Sequence, residues 1–187
     1  MFPFNIIRKI ERGYYVSVYW TVCRTTDWIR EISLEIDILN VHYIIDGKTT
    51  IKPTKMFYET LDEDEIQNVH FEVQFNNQHI HSKLHSVAEY AVIYFQQALP
   101  NNICVACCQS CLHGNFNPFG NLGNEIFCLK DLSLQNKEDV INYFAKQTFY
   151  DRSRKLLDFC QDYKPIEKKK KYTYNDWDLW DLIKVVT

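Results

Sequence analysis

No apolar run in this chain approaches the roughly 18–20 residues of a membrane-spanning helix. The opening stretch, Met1–Tyr15, is interrupted by charges. It has neither the apolar core nor the small-residue cleavage site of a secretory signal. A cytoplasmic protein with no membrane partner is therefore expected. Glycine and proline are scarce, with five of each in 187 residues. No stretch rich in Gly, Ser or Pro divides the chain, so a single domain with one hydrophobic core is expected over residues 1–187. There is no excess of basic charge, because the net charge is −3. That balance argues against a general binder of nucleic acid but leaves room for a local basic patch. The chain carries seven cysteines. In a reducing compartment they do not read as a disulfide framework, and an odd number rules out complete pairing.

Aromatic residues are abundant, with 12 Tyr, 12 Phe and 4 Trp. Such side chains carry much burial, and β-structure accommodates them well. Period-two alternation marks strands in several places. Tyr14, Val16, Val18, Trp20 and Val22 share one face. Trp28, Ile32, Leu34, Ile36 and Ile38 share another, opposite Glu31, Ser33, Glu35 and Asp37. Val41–Ile45 and Lys48–Lys52 flank Asp46-Gly47, a dipeptide suited to the positive φ angles of a type I′ hairpin turn. Pro53 then argues against a central strand at that point. Val69, Phe71, Val73 and Phe75 form one more alternating strand.

Helical spacing takes over after residue 85. Ser86 and Glu89 fit a capping box ahead of an apolar stripe from Val87 to Leu99, which Pro100 ends. Asn136 can cap a helix carrying Val140, Ile141 and Phe144. Leu156, Leu157, Phe159 and Cys160 suggest another helix around 152–161. The expected fold class is α+β, with an antiparallel sheet in the N-terminal half covered by a helix. Mainly strands are expected in 1–80. Helices and a cysteine-rich zinc-knuckle loop follow in 81–165, then a tail in 166–187.

The cysteines carry the one pattern that demands chemistry. Cys104, Cys107, Cys108 and Cys111 form C-x-x-C-C-x-x-C, and Cys128 and Cys160 follow. Cys108-x2-Cys111 suits a knuckle presenting two thiolates to one metal, and Cys104-x2-Cys107 fits equally well on spacing. Cys128 lies 17 residues beyond Cys111, without a closing x-x-Cys. The fourth ligand is then Cys160, with His113 as the alternative. The expected centre is one structural Zn²⁺ on Cys108, Cys111, Cys128 and Cys160. Four thiolates leave no open position, so no catalytic residue is expected there. Buried free thiols packing as small hydrophobes are the competing account, and Cys23 belongs with that account.

Residues 107–128, CCQSCLHGNFNPFGNLGNEIFC, resemble the motif C-C-x2-C-x6-P-[YF]-G-N…C of an uncharacterised bacterial protein family, a domain of unknown function. The likeness extends over roughly residues 69–165. It implies that Cys108, Cys111, Pro118, Gly120, Cys128 and Cys160 match the pattern and that Cys104 lies outside it. It carries no activity.

Other patterns invite chemistry more weakly. His79-x-His81, with His85 nearby, offers an imidazole pair on an exposed connection. Glu59 and Asp62–Glu65 form an acidic cluster that reads first as a solvated segment. Cys111 with His113 lacks the signatures of a thiol hydrolase, and the paired C-x-x-C lacks the βαβ context of a redox dithiol. Lys168–Lys171, with Tyr172 and Tyr174, could contact nucleic acid, although a solvated run is the simpler reading. Trp177 and Trp180 fall on one helical face, either docked on the parent domain or offered to a partner. Three functions follow from these patterns. The first is a zinc-binding protein acting through a protein partner, of immunity, antitoxin or accessory type. The others are a thiol- or zinc-dependent enzyme and a nucleic-acid binder using the lysine run.

Overall fold

The computed structural model describes residues 32–61, 65–120, 125–146, 149–166, 174, 175 and 177. The proposed strand over 14–22, Trp28, Cys23, Lys168–Lys171, Tyr172 and Trp180 lie outside the described residues. Two compact units result. The described residues of one fall within 32–40 and 53–98, and those of the other within 41–52 and 99–177.

Asp46 and Gly47 adopt φ of 49° and 79° and reverse the chain between β1 (Ile32–Ile45) and β2 (Lys48–Leu61). The hairpin is thus where the Asp-Gly dipeptide places it. β3 (Glu65–Phe75) follows, and Asn76 at φ 53° turns it into β4 (Gln78–His81). β5 (Ile103–Ala106) completes a five-stranded sheet ordered β4-β3-β2-β1-β5. The pairings β2–β3, β3–β4 and β1–β5 are all antiparallel.

In the first unit the alternation of β3 is realised as expected. Val69, Phe71, Val73 and Phe75 are all buried, and Val73 faces Ile80 of β4 in register. α1 (Ala88–Ala98) packs on this strand, with Phe95 stacked on Phe71 at a centroid distance of 5.0 Å. Each such side chain removed from water contributes about 1.5–3 kcal/mol before entropy is counted. Val87, assigned above to the apolar stripe, precedes the helix and is exposed.

Two strand expectations need correction. Pro53 does lie in a central strand, β2, between β3 and β1. The register shared with β3 begins one residue later, at Thr54↔Val73, so its missing N–H falls outside that ladder. Ile38 is 66% exposed, so the apolar face read over 28–38 is not buried at that point. On the neighbouring residues the Tyr58 hydroxyl lies 3.0 Å from Glu35 Oε2 and 3.1 Å from Asp37 Oδ2. Burial and these carboxylates raise the Tyr58 pKa well above the usual phenol range.

In the second unit β6 (Gly114–Asn115), β7 (Glu125–Cys128) and β8 (Ser153–Lys155) form a three-stranded sheet in that order. α2 (Lys137–Phe144) starts at the expected cap. Asn136 Oδ1 accepts the Asp139 N–H at 3.0 Å, and Asp139 Oδ2 accepts the Asn136 N–H at 3.2 Å. Val140 and Phe144 are buried with Phe127, Leu129 and Phe149 in one apolar cluster.

The helix expected around 152–161 is absent. Tyr150–Arg152 makes a single 3₁₀ turn, and Ser153–Lys155 pairs antiparallel with β7 instead. Asp158 explains why the chain does not coil. Its carboxylate accepts the Lys155 N–H at 2.9 Å and its own N–H reaches the Lys155 carbonyl at 3.1 Å. A short polar side chain that bonds its own backbone competes with the helical ladder.

Candidate metal centre

Strand phase separates the cysteines first. In β5, Ile103, Val105 and Ala106 are buried while Cys104 points outward. Cys104 therefore sits on a strand face, opposite Ile44 in register, rather than on a turn. Cys107, just beyond the strand, is fully buried. Its N–H donates to Ser110 Oγ at 3.1 Å, and Ser110 Oγ donates to the Val105 carbonyl at 2.8 Å. Burial pushes the Cys107 thiol up to about 11, against hydrogen bonds from Ser110 and Gln109 that lower it. Cys107 behaves as a structural thiol.

The next two cysteines belong to a turn. The Cys111 N–H reaches the Cys108 carbonyl at 3.3 Å, and the Gly114 N–H reaches the Cys111 carbonyl at 2.9 Å. Gly114 then pairs with Cys128 in the β6–β7 register. Leu129 N–H donates to the His113 carbonyl at 2.9 Å, which fixes Cys128 beside the turn from its far side. Residues 156–166 close the remaining edge. Cys108 N–H donates to the Asp158 carbonyl at 2.7 Å and Gln109 N–H to the Leu156 carbonyl at 3.1 Å. Leu112 N–H donates to the Lys164 carbonyl at 2.7 Å, Ile166 N–H to that of Ser110 at 3.2 Å, and Cys111 bridges to Pro165. Cys160 lies inside this returning segment, its carbonyl accepting the Tyr163 N–H at 3.1 Å.

Backbone hydrogen bonds thus bring the segments bearing Cys108, Cys111, Cys128 and Cys160 to one knuckle. Cys111 is buried, Cys108 and Cys128 are half-buried, and Cys160 is exposed. The electrostatics follow that grouping. Burial raises the Cys111 thiol, and nearby Cys128 and Cys160 add to the rise. Backbone N–H groups of Lys164 and His113 oppose it by favouring the thiolate. Burial likewise holds Cys108 well above the usual thiol range, with Cys107, Asp158, Cys111 and Cys128 reinforcing it. Among the described residues the side chains do not form a ready-made set of three or more His, Cys, Asp or Glu that could hold a metal.

His113 lines a polar cavity of about 500 Å³ with Lys130, Asp131, Asp162 and Lys164. Every one of these residues follows one of the four cysteines by two to four positions. Burial, then Lys164, holds the His113 imidazole below its usual range. Lys130 pairs with Asp162, and Arg152 Nη1 pairs with Asp131 Oδ2 at 3.2 Å.

Two residues at this site have no warning in the sequence. Ser110 is buried beneath the turn, taking a bond from Cys107 and contacting the Tyr163 hydroxyl at 3.2 Å. Asn175 is buried and donates to the Gln109 and Gly114 carbonyls. The other candidate patterns stay apart from the knuckle. His79 and His81 stand exposed on β4 rather than on a connection, and His81 Nδ1 lies 3.0 Å from Glu72 Oε1. Glu59 accepts from Asn68 at 2.6 Å, while Asp62–Asp64 lie outside the described residues. Trp177 is half-buried.

The knuckle makes one glycine indispensable. A Cβ on Gly114 would collide with the Cys108 carbonyl and come within 2.9 Å of Ile126 Cδ1. Gly114→Ala is expected to destabilise the protein by about 1–3 kcal/mol and to lower any metal that the cysteine turn retains. Urea denaturation and metal analysis of the purified variant check both. Among the described residues no helix is long and apolar enough to cross a membrane. Comparison of the chain with protein-family models, curated proteins and solved structures gives no match.

Proposed function

We propose that this chain is a zinc-stapled protein whose closed four-thiolate centre, on Cys108, Cys111, Cys128 and Cys160, is structural. In this reading it acts through a protein partner, in an immunity, antitoxin or accessory role. The supporting observation is the set of backbone hydrogen bonds that ties all four cysteine-bearing segments to one turn. Thiolate sulfur suits zinc, and four such ligands leave no position for water or substrate. Zinc also supplies what the knuckle lacks without it, a positive charge that turns raised, mutually unfavourable thiols into ligands.

The partner half of the reading rests on Phe119, which is 64% exposed. Its N–H is held by Asn117 Oδ1 at 3.0 Å, and the Gly120 N–H closes the turn on the Asn117 carbonyl at 3.1 Å. Asn, Pro and Gly at these places suit a type I turn. An aromatic ring presented on a pre-ordered turn has the form of an interface anchor.

A second reading, zinc held by three thiolates with an open position, is favoured by the cavity beside His113. Metal analysis and thiol titration separate the two. The closed centre predicts one zinc per chain and four cysteines protected from alkylation until chelator is added. A stably bound zinc with Cys160 freely alkylated supports the open site. Absence of metal after zinc-replete expression sinks both.

A further inference from the structure

We infer that His85 is a pH-operated clasp that fastens the start of α1 to β3 while its ring is neutral and releases it on protonation. The residue is held to the strand through its backbone. Its N–H donates to the Val69 carbonyl at 3.0 Å, and its carbonyl accepts the Val69 N–H at 2.8 Å. Its side chain turns to the helix, where Nδ1 accepts the Val87 N–H at 2.9 Å. Val87 is where α1 begins to bond, because its carbonyl accepts the Ala91 N–H at 3.0 Å. Ser86, the cap that spacing nominates, is exposed. One histidine therefore joins a strand bridge to a donor at the head of the helix that has no partner within the helix itself.

That bond exists in only one state of the ring. A nitrogen that accepts a hydrogen bond carries no proton, so the neutral ring keeps its proton on Nε2. Protonation makes both ring nitrogens donors, and Nδ1–H then faces another donor. Flipping the ring puts a carbon in place of Nδ1, which accepts nothing either. The ring itself can stay. Tyr90 and Tyr94 of α1 lie at centroid distances of 5.1 and 5.5 Å, and aromatic rings tolerate a cation. Protonation thus removes the cap rather than the packing. Charged and titratable groups surround this corner on each element. Lys83 lies 6.0 Å from the centre of the Tyr94 ring, and Glu89 stands in the first turn of α1. On β3, His70 stacks on Phe57 at 4.6 Å and Glu72 meets His81 of β4 at 3.0 Å, while Glu59 of β2 accepts from Asn68 at 2.6 Å. The deeper contact between α1 and β3, Phe95 on Phe71, contains no titratable group. Acid is therefore expected to loosen the corner at 85–88 and to leave the body of the helix in place.

Amide hydrogen exchange of the whole chain, corrected for the intrinsic pH dependence of exchange, tests the clasp alongside an NMR titration of the His85 ring. The neutral ring is expected to be the Nε2–H tautomer. Protection of the Val87 amide is expected to fall about tenfold as the ring protonates, the usual worth of a helix cap, and with the midpoint of the ring's own titration. The Phe71 amide, held by Ser82 Oγ at 2.8 Å, and the Ala145 amide, held by the Ile141 carbonyl at 3.0 Å, are the controls and are expected to stay protected. His85→Ala is expected to lower Val87 protection at every pH. His85→Asn, which keeps an acceptor but cannot gain a proton, is expected to hold Val87 protected in acid. A neutral ring with its proton on Nδ1 overturns the clasp. So does Val87 protection that ignores the titration of the ring, that survives His85→Ala, or that remains as acid-sensitive in His85→Asn as in the wild type. Parallel loss at Phe71 or Ala145 also overturns it, because acid is then loosening the fold as a whole.

Discussion

Cys111→Ser is expected to abolish stoichiometric zinc binding and to unfold the knuckle under conditions where the wild-type chain is fully folded. Cys111 is the most buried of the four proposed ligands, and the backbone N–H groups of Lys164 and His113 favour its thiolate. A hydroxyl there is a poor zinc ligand. Structural zinc sites contribute on the order of 10 kcal/mol to folding, comparable with the whole stability of a typical domain. Metal analysis and thermal denaturation with and without chelator measure the loss. A Cys111→Ser protein with one tightly held zinc would show that the ligand set is wrong. Cys104→Ser, on the outer face of β5, is the control and is expected to keep its metal.

Acid has a predictable direction at the same site. In the proposed centre, zinc would have to displace protons from thiols that burial has made reluctant to lose them. Apparent zinc affinity therefore falls as pH falls below neutrality. For the metal-free chain the sign reverses. Cys107 keeps its proton up to about 11 in the folded state but loses it near the ordinary thiol range when unfolded. Folding is then progressively disfavoured as pH rises from the ordinary thiol range towards 11.

The second large effect is expected from Phe127→Ala. Phe127 is the middle of the apolar cluster in the second unit. It meets Phe144 edge-on at 5.3 Å and Phe149 edge-on at 5.1 Å, with Leu129 and Val140 buried alongside. Removing a buried phenyl ring forfeits its transfer free energy and leaves a cavity, together about 3–5 kcal/mol. Phe127 immediately precedes Cys128 and pairs with Asn115 on one side and Ser153 on the other. The damage is therefore expected to reach the knuckle and weaken zinc retention as well. Urea denaturation compares this variant with Phe119→Ala, whose exposed ring is expected to cost under about 0.5 kcal/mol. Equal losses for the two would refute the packing argument.

What the sequence announced was local. Asp46-Gly47 declares its turn through backbone freedom, β3 declares itself by period two, and Asn136 with Asp139 declares a helix start. The turn that joins Cys108 to Cys111 is local in the same way, closed by the Cys111 N–H on the Cys108 carbonyl. The features that went unseen depend on partners distant in the chain. Ser153-Arg154-Lys155 has no apolar alternation and is a strand only because β7 offers it an edge. Leu156, Leu157, Phe159 and Cys160 have near-helical spacing, yet Asp158 turns the backbone before a coil can form. The outward placement of Cys104 on a strand face was not legible either, because the phase of β5 is set by pairing with His42–Ile45. Asn175 is one asparagine among many until the fold brings two carbonyls to it.

The distribution of the four cysteine-bearing segments along the chain has a consequence during synthesis. Cys108 and Cys111 leave the ribosome together, but Cys160 lies about 50 residues further on. At roughly 5–20 residues per second it follows some 2–10 s later. Through that interval the nascent chain offers two and then three thiols without the segment that closes the knuckle. On the zinc reading, metal taken up in that interval would sit in an incomplete shell, open to competing thiols. In the proposed centre, durable capture would await the return of residues 156–166. On the proposed zinc reading, loading and completion of the fold then coincide late in synthesis.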